Sequence, residues 1–329
     1  MSHLDVEPSI PVGSTVVVSG ANGNIASHIV DQLIKAGYIV RGTVRDVKKN
    51  SWLIDHFSNI YGPGKIELVE VPDMSASGGF DEAVKDPNAA IPVVIQGTVG
   101  ALQSAAKEPK MKRFILTSSS GACTAPKPGK VFTIDSNTWN EEAISAAWAP
   151  PPYEGFERLL DVYYASKTQG EKEAWKWVRE NNPKFVLNTV LPNANFGPVV
   201  DKHHQKYHST LGWIRALWNG FDGEEGVRSQ PPQYYINIVD DAIVHVAALL
   251  YKDVNNERLF TFAYPYNWND ILAAFRKLYP SKKFIDDIPN LQRDLSVVTN
   301  GRAEDLLKRF AGHGWTNLEE TIKSTVADY

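Results

Sequence analysis

The stretch that most constrains this chain is Val16–Arg45, VVVSGANGNIASHIVDQLIKAGYIVRGTVR. A β-branched apolar run is followed by a glycine turn, an amphipathic pattern and a second apolar run, so the order strand, turn, helix, strand is predicted. Gly20 permits the sharp turn, and Gly23 lets backbone N–H groups come close to a pyrophosphate. The N-terminus of the helix then faces the negative charge of that group. The pattern therefore predicts a dinucleotide site.

The residues after the second strand indicate which dinucleotide binds. An NAD site places an acidic residue there to hold the ribose 2′-OH, whereas this chain has Arg45, followed by Lys48 and Lys49. A guanidinium suits a 2′-phosphate, so the sequence favours NADPH over NADH. Asp46, beside Arg45, keeps open the alternative that an acidic residue holds the ribose 2′-OH of NADH. The glycine spacing, G-x-x-G-x-x-A, also fits an ordinary strand–turn–helix that binds no nucleotide.

The composition is that of a globular protein of one large domain or two smaller ones. Of 329 residues, 43% are hydrophobic and 22% charged, and the net charge is −4 without a basic stripe. Neither nucleic acid nor an anionic membrane is therefore a predicted partner. The N-terminus does not resemble a secretory signal, no apolar run of membrane-spanning length is expected, and the single Cys123 excludes an internal disulfide. A cytoplasmic location is predicted.

Short strands alternate with helices along the first half of the chain, which predicts an α/β fold with a doubly wound parallel sheet, of the Rossmann type, and helices on both faces. We expect a nucleotide-binding domain at residues 1–190. A smaller C-terminal substrate lobe follows at 191–329, interleaved with returning elements at about 234–262. The predicted strands beyond the first two are Lys65–Val71, Arg113–Thr117, Phe185–Val190, Tyr234–Val239 and Arg258–Phe262; the predicted helices are Phe80–Val84, Ile91–Ala106, Tyr163–Asn181, Asp241–Leu250 and Leu306–Tyr329.

A second group of residues carries acid–base chemistry. Tyr163 and Lys167 are four apart at the predicted start of a long helix, so both lie on one face. A phenol is a weak acid at neutral pH, and a neighbouring ammonium stabilises its phenolate and so favours proton transfer. Ser119, after the buried strand Arg113–Thr117, can hydrogen-bond the carbonyl oxygen that Tyr163 protonates. Which of three adjacent serines acts is left open, because Ser118 and Ser120 are its neighbours.

Together these motifs resemble the extended short-chain dehydrogenase/reductases, in the dihydroflavonol-reductase-like branch that includes the fungal NADPH-dependent aldehyde and carbonyl reductases. The matching segments are SGANGNIASHIVDQL, GYIVRGTVR, VPDM, RFILTSSS, YYASKTQGEKEAW, VLPNANFGP, PPQYYINIVDDAIVHVAALL and AAFRKLYPSKKF, which cover nearly the whole chain. The resemblance implies Ser119, Tyr163 and Lys167 as the catalytic residues. It implies cofactor contacts from Gly20, Asn22, Gly23, Asn24 and Ile25 at the pyrophosphate, Arg45 and Lys49 at the 2′-phosphate, Asp73 and Met74 at the adenine, and Pro192 and Asn193 at the nicotinamide. The loop after Gly197 and the aromatic segment near Trp213 would close the pocket.

The chain departs from the family pattern between Lys85 and Ile91. In the family, a short helix such as Phe80–Val84 leads into a buried strand that lies beside the first strand. Here the chain passes through Asp86–Ala90 directly into the run Ile91–Ile95, without an apolar strand. A buried strand and its loop need about a dozen residues. One central strand is therefore predicted to be missing near residues 85–91.

Three interpretations of this departure stay open. A coding segment could be absent through a wrongly joined gene model, the protein could be an impaired paralogue, or Ile91–Ile95 could be drawn partly into the gap. An unfilled place in a sheet exposes backbone groups at a cost comparable with a domain's stability of about 5–15 kcal/mol. We therefore expect low stability or low activity.

The sequence thus predicts NADPH-dependent reduction of a small-molecule aldehyde or ketone, fairly apolar in character, to an alcohol. No metal site is predicted. One alternative is a sugar-nucleotide epimerase or dehydratase of the same superfamily, which would hold NAD. Another is a catalytically impaired nucleotide-binding protein. The sequence leaves the physiological substrate and the oligomeric state open.

Overall fold

The computed structural model describes residues 6–72, 86–207, 209–220, 230–327 and 329. Asp73 and Met74, expected at the adenine, lie outside these residues, as does the predicted helix Phe80–Val84. The strands are β1 (Thr15–Val18), β2 (Ile39–Val44), β3 (Ile66–Glu70), β4 (Arg113–Thr117), β5 (Thr133–Ile134), β6 (Val186–Pro192), β7 (Ala194–Phe196), β8 (Gln233–Asn237), β9 (Arg258–Thr261), β10 (Tyr264–Tyr266) and β11 (Val297–Val298).

The helices surround these strands, and a short 3₁₀ turn, Ser120–Ala122, follows β4. They are α1 (Asn24–Lys35), α2 (Trp52–Tyr61), α3 (Pro87–Ala106), α4 (Glu141–Ala147), α5 (Phe156–Asn181), α6 (Thr210–Trp218), α7 (Ile238–Leu250), α8 (Trp268–Leu278), α9 (Gly301–Ala311) and α10 (Leu318–Thr325). On one side α1 packs against α7, and on the other α3 packs against α5. The predicted α/β fold, with parallel strands between layers of helices, is confirmed.

Six of the parallel strands form two sheets of three, which we call the first half-sheet and the second half-sheet. The first half-sheet has the order β1–β2–β3 with β1 at an edge, and the second has the order β4–β6–β9 with β4 at an edge. Within the described ranges no strand pairs with the free edge of either β1 or β4. This arrangement agrees with the predicted absence of a central strand near residues 85–91.

The run Ile91–Ile95 is helical, so the interpretation that draws it into the gap as a strand is wrong. It lies in α3, which begins at Pro87 rather than at the predicted Ile91. Asp86 is the N-cap, accepting a hydrogen bond from the Asn88 N–H, and Pro87 needs no donor at the first helical position. Pro92 consequently lies inside the helix, beyond the first turn. By length and composition alone α3 is apolar enough to cross a membrane, an exception to the expectation of no such run.

The helix that carries the acid–base residues also begins earlier than predicted. α5 starts at Phe156, after Gly155 with φ of 86°, a backbone conformation that favours glycine. Tyr163 therefore lies about two turns into the helix and not at its start. A rigid helical segment on both sides fixes the directions of the Tyr163 and Lys167 side chains.

Elements from the second half of the chain join the sheet formed by the first half, while the division into domains at residue 190 stays a prediction. β9 pairs in parallel with β6, and α7 packs on β4. A smaller sheet has the order β7–β8–β10, and β5 pairs with β11. The C-terminal segment, predicted as one helix, is two, because Gly312 with φ of 79° ends α9 and Asn317 caps α10.

Candidate active site

The glycine turn that follows β1 has the backbone geometry of an anion site. Gly20 has φ of 60°, and a Cβ at this residue would meet nothing within 4 Å. The Gly23 N–H donates to the Gly20 carbonyl at 2.8 Å, which closes the turn. Gly23 is the N-cap of α1, so no side chain caps this helix, and its first turn holds no acidic residue. The N–H groups of Asn24 and Ile25 thus belong to a helix end that suits a pyrophosphate.

Gly42 on β2 is a site residue that the sequence reasoning missed. A Cβ at Gly42 would lie 2.7 Å from the Ala21 Cβ, so only glycine lets the turn pack on the strand. The Ala21 N–H donates to the Thr43 carbonyl at 3.0 Å in the same contact. A glycine inside a strand pattern signals a close backbone approach and could have been found from the sequence.

The basic residues after β2 surround the acidic one. Asp46 accepts a hydrogen bond from the Lys49 N–H at 3.0 Å, and the Lys49 Nζ lies 3.6 Å from its other oxygen. The backbone hydrogen bond from Lys49 is the largest cause that lowers the pKa of Asp46. Its carboxylate is thus engaged within its own turn, while Arg45 is exposed at the end of β2. This arrangement fits a 2′-phosphate better than a ribose diol.

The three serines after β4 have different partners. Ser118 donates to Glu171 Oε2 at 2.6 Å, so its hydroxyl hydrogen is engaged by this buried carboxylate. Ser119 accepts from the Gly121 N–H at 3.1 Å and from the Tyr163 hydroxyl at 3.5 Å. Ser120 begins the 3₁₀ turn. Of the three, Ser119 is the one that faces Tyr163.

Tyr163 and Lys167 lie together on α5. The Lys167 Nζ is 5.9 Å from the centroid of the Tyr163 ring, and the Tyr163 side chain is 40% exposed. The next residue, Tyr164, packs edge-on against Tyr163, and its ring lies where a Cβ on Gly121 would be. The structure thus brings Ser119, Tyr163 and Lys167 into one cluster that solvent and a small molecule can reach.

Glu171 is a second residue that the sequence reasoning missed. It lies one turn beyond Lys167 on the same helix face and is 1% exposed. Its carboxylate accepts from Ser118, from Thr189 at 2.9 Å and from Arg258 Nε at 2.8 Å. Arg258 lies on β9, so this buried ion pair ties α5 to the second half-sheet beneath the serines. The spacing from 163 to 167 to 171 could have indicated it.

The loop after β7 is fastened to the glycine turn. Gln205 Nε2 donates to the Asn22 carbonyl at 3.2 Å and to Ser27 Oγ at 2.8 Å. His28 Nε2 lies 2.9 Å from the Pro198 carbonyl, which can only accept, so this ring nitrogen carries the proton. The loop that follows β6 and β7 in the chain is thus held against the glycine turn at the carboxyl end of β1. Gln205 belongs to no motif that the sequence analysis used, and His28 lies within the matching segment SGANGNIASHIVDQL without a role assigned to it.

The burial of His28 predicts a pH dependence of stability. Desolvation lowers its pKa below the usual 6.5, because its side chain is almost completely buried on α1. Above pH 6.5 the group contributes no pH dependence. Below it, the unfolded chain binds a proton that the folded state resists, so stability falls by at most about 1.4 kcal/mol per pH unit.

The His28→Asn variant tests this expectation, with His203→Asn, at an exposed position, as the matched control. Chemical unfolding at pH 7.0 and 5.5 should show a shallower decline for the His28 variant than for the wild type. The control should follow the wild type. Equal slopes for all three proteins would contradict the assignment.

Pro192 and Asn193, expected beside the nicotinamide, stand at the end of β6. Asn193 Oδ1 accepts from the Ala194 N–H at 2.8 Å, and Asn195 Nδ2 donates to the Asn193 carbonyl at 3.2 Å. Asn195 Oδ1 is buried and has no hydrogen-bond partner among the described residues. These contacts keep the segment rigid.

Other polar and aromatic residues have structural roles. Cys123 is buried, and burial raises its pKa to about 12, so it is not an activated thiolate. His245 Nε2 lies 3.0 Å from Thr117 Oγ1, so its ring faces β4. Trp213 packs edge-on against Trp268 in the core of the lobe. The predicted closure of the pocket near Trp213 stays a prediction.

Comparison with known proteins identifies the family. A family profile described as NAD(P)H-binding matches residues 20–151. The chain is 39% identical to aldehyde reductase 2 of Sporidiobolus salmonicolor, over 96% of each chain. The chain belongs to the extended short-chain dehydrogenase/reductases. It is also 37% identical to the NAD-dependent epimerase/dehydratase terH of Aspergillus terreus, over 95% of this chain and 96% of that one.

A solved structure supports the same assignment to the short-chain dehydrogenase/reductases. The yeast methylglyoxal/isovaleraldehyde reductase Gre2, complexed with NADPH, matches with a TM-score of 0.76 and 26% identity, over 95% of this chain and 97% of that one. This confirms the resemblance to the dihydroflavonol-reductase-like branch and its fungal reductases.

The alignment with the Sporidiobolus member of the family contains gaps. The alignment extends over 334 positions and includes 96% of the 329 residues of this chain, which is about 316 residues. About 18 aligned positions therefore have no residue of this chain. A strand with its loop needs about a dozen residues. The number of unmatched positions is therefore large enough for one strand beyond those found in the described residues.

Proposed function

We propose that this protein reduces an aldehyde or ketone to an alcohol with NADPH. The observation that carries the proposal is the cluster at the carboxyl ends of the strands, where the Tyr163 hydroxyl lies 3.5 Å from Ser119 Oγ, with Lys167 one helical turn away. The glycine turn is fastened to the loop after β7. The family relationship supports both the reaction and the cofactor.

Each residue of the cluster has its own role in the proposed reaction. The Ser119 and Tyr163 hydroxyls bind the carbonyl oxygen of the substrate and so orient it. NADPH, when bound, supplies the hydride that reduces the carbonyl carbon. Tyr163 gives its proton to the oxygen as negative charge develops there, and the Lys167 ammonium stabilises the phenolate that remains. When NADPH is bound, the backbone N–H groups at the start of α1 would hold its pyrophosphate, and Pro192 and Asn193 would lie beside its nicotinamide.

The substrate class follows from the surroundings of the cluster. The segment after Leu191 contributes several aromatic residues, so we infer a fairly apolar carbonyl compound. A cytoplasmic location is part of the same proposal, because such reductases draw on the soluble NADPH pool.

A thermal-shift titration with NADPH and NADH, followed by NADPH oxidation with a panel of aldehydes and ketones, tests the proposal. Saturation at about 100 times the Kd adds about 2.7 kcal/mol to folding, so NADPH should raise the melting temperature. Oxidation of NADPH with at least one carbonyl compound completes the test. Binding without oxidation across the panel would favour the non-catalytic alternative.

The role of Arg45 predicts a cofactor-specific loss. Arg45→Ala should weaken NADPH binding about ten- to hundredfold, since a charge-assisted contact contributes about 1.5–3 kcal/mol, and should leave NADH binding nearly unchanged. Arg41→Ala is the matched control, because Arg41 on the same strand pairs with Glu67 at 2.5 Å instead. An equal loss for both cofactors in titrations of the Arg45 variant would contradict the assignment.

The similarity to an NAD-dependent epimerase/dehydratase favours one second candidate, a sugar-nucleotide epimerase or dehydratase. Such an enzyme regenerates its cofactor and holds it tightly, and it would use an acidic residue where Arg45 stands. Denaturing the purified protein and identifying the released nucleotide separates the two. NAD in stoichiometric amount would support the epimerase.

A further inference from the structure

Gln205, on the loop after β7, uses every hydrogen-bonding group of its side-chain amide. Oε1 accepts from the Val200 and Asp201 N–H groups at 2.8 and 3.3 Å. Nε2 donates to the Asn22 carbonyl at 3.2 Å and to Ser27 Oγ at 2.8 Å. Backbone N–H groups only donate and a backbone carbonyl only accepts, so these partners fix which end of the amide is the oxygen. Since the residue is only 6% exposed, the amide is a buried connection between its own loop and the glycine turn.

The two contacts on the turn side act on the peptide groups that supply its N–H donors. The Asn22 carbonyl and the Gly23 N–H belong to one planar peptide group, so a hydrogen bond to the carbonyl also fixes the direction of that N–H. Ser27 Oγ accepts from the buried amide and donates to the Asn24 carbonyl at 3.0 Å. The Asn24 carbonyl shares its peptide group with the Ile25 N–H. The amide therefore holds both ends of the segment that is expected to contact the pyrophosphate.

The loop that carries Gln205 is also held in place by other contacts. His28 Nε2 donates to the Pro198 carbonyl at 2.9 Å, and the His204 ring stacks on Trp52 with the ring centroids 5.0 Å apart. These contacts join the loop to α1 and α2, and neither involves the Gln205 amide. A change confined to this amide should consequently release the glycine turn while the loop stays in place.

We propose that Gln205 is a positioning residue for the dinucleotide, because its amide holds the glycine turn in the conformation that binds the pyrophosphate. The inference rests on the proposed cofactor site and adds to it a residue that is 178 positions from its partner Ser27. NADPH and NADH share the pyrophosphate, so both should depend equally on Gln205, in contrast to the 2′-phosphate specificity of Arg45. The hydroxyls of Ser119 and Tyr163 lie on other elements, so the reduction step itself should keep its rate.

The Gln205→Met variant tests the proposal, because methionine has nearly the volume of glutamine but no amide. Fluorescence titration should give a Kd about tenfold higher for NADPH and for NADH alike, the effect of one or two lost hydrogen bonds. At saturating NADPH, kcat for carbonyl reduction should stay within about twofold of the wild type. Without any nucleotide, amide exchange should be faster at Gly23 and Ser27, whose N–H groups donate to the Gly20 and Gly23 carbonyls.

Two further variants separate the role of the amide from that of the loop. His204→Ala removes the stacking on Trp52 from the same loop but leaves the Gln205 amide intact, so its Kd for either cofactor should stay within about twofold of the wild type. Gln205→Glu keeps oxygens that accept from the loop N–H groups, but its carboxylate cannot donate to the turn. Without nucleotide it should speed amide exchange at Gly23 and Ser27 as Gln205→Met does.

Several results would overturn the proposal. They are an unchanged affinity in Gln205→Met, a loss for NADPH alone, an equal loss in His204→Ala, a loss in kcat rather than in affinity, and unchanged exchange in the turn. If Gln205→Met does not fold, Gln205→Glu decides by its exchange at Gly23 and Ser27. A wild type that binds NADPH but reduces no carbonyl compound would contradict the reductase instead, and the affinities would still test Gln205. A wild type that binds neither dinucleotide would overturn both proposals.

Discussion

Replacing Tyr163 by phenylalanine should lower kcat for carbonyl reduction by about 10²–10⁴-fold, the usual contribution of a positioned general acid. The substitution removes only the hydroxyl that lies 3.5 Å from Ser119 Oγ. The ring stays against Tyr164 and beneath the Lys167 Nζ, so the folded structure should persist. NADPH oxidation with the best carbonyl substrate gives kcat, and thermal shift with NADPH shows whether binding is retained.

Tyr164→Phe provides the matched control. It removes the same group from the adjacent residue, whose ring packs against Gly121 rather than facing Ser119. Its kcat should remain within about threefold of the wild type, since this hydroxyl does not face the reacting atoms and most single substitutions change the free energy only modestly. Full turnover in the Tyr163 variant, or an equal loss in both, would contradict the assignment of the proton donor.

The elements that sequence reasoning placed well are those with an uninterrupted apolar signal. β4 has the predicted bounds, Arg113–Thr117, and the order from β1 to β2 around the glycine turn is as predicted. A short run dominated by apolar and β-branched residues leaves little choice of secondary structure. The same local logic predicted the position of Ser119, because a residue directly after a parallel strand lies at the edge where ligands bind.

The helix starts were predicted poorly, since their signals depend on contacts made elsewhere. Arg158, in the first turns of α5, is buried and donates to the carbonyls of Ala146 and Ala147 at the end of α4. This contact makes a charged segment helical, and the linear sequence does not show it. For α3 the signal is present in Asp86 and Pro87, but the expectation of a strand at this point of the chain obscures it.

The predicted absence of a strand came from comparing the family pattern with the number of residues available, and not from any local propensity. The consequence for the sheet, two half-sheets with open edges, needed the structure. Residues such as Gln205 and Glu171 were missed for a related reason. A polar side chain acquires its role from the element that it meets, and those partners are 178 and 87 residues away in the chain.

The buried ion pair beneath the serines predicts the largest loss of stability. Glu171→Gln keeps the shape of the side chain but leaves the Arg258 guanidinium, whose side chain is only 6% exposed, without its counter-ion. Removing one partner of a buried pair costs about 3–5 kcal/mol, because the remaining charge stays desolvated. Chemical unfolding of the variant should show a loss in this range.

Glu173→Gln is the control, two residues along α5, where the glutamate forms an exposed pair with Lys176 at 3.2 Å. That change should alter the free energy of unfolding by less than about 0.5 kcal/mol. Removing both charges, with Glu171→Gln and Arg258→Met together, should cost less than the sum of the single changes, since the two groups interact directly. Additive losses in the free energy of unfolding, or a Glu171→Gln protein as stable as the wild type, would show that the Glu171 carboxylate does not neutralise the buried charge of Arg258. The interaction energy obtained from the single and double variants measures the Glu171–Arg258 pair alone. It separates this pair from the contacts that Arg258 makes with Trp139 and with the loop before α4.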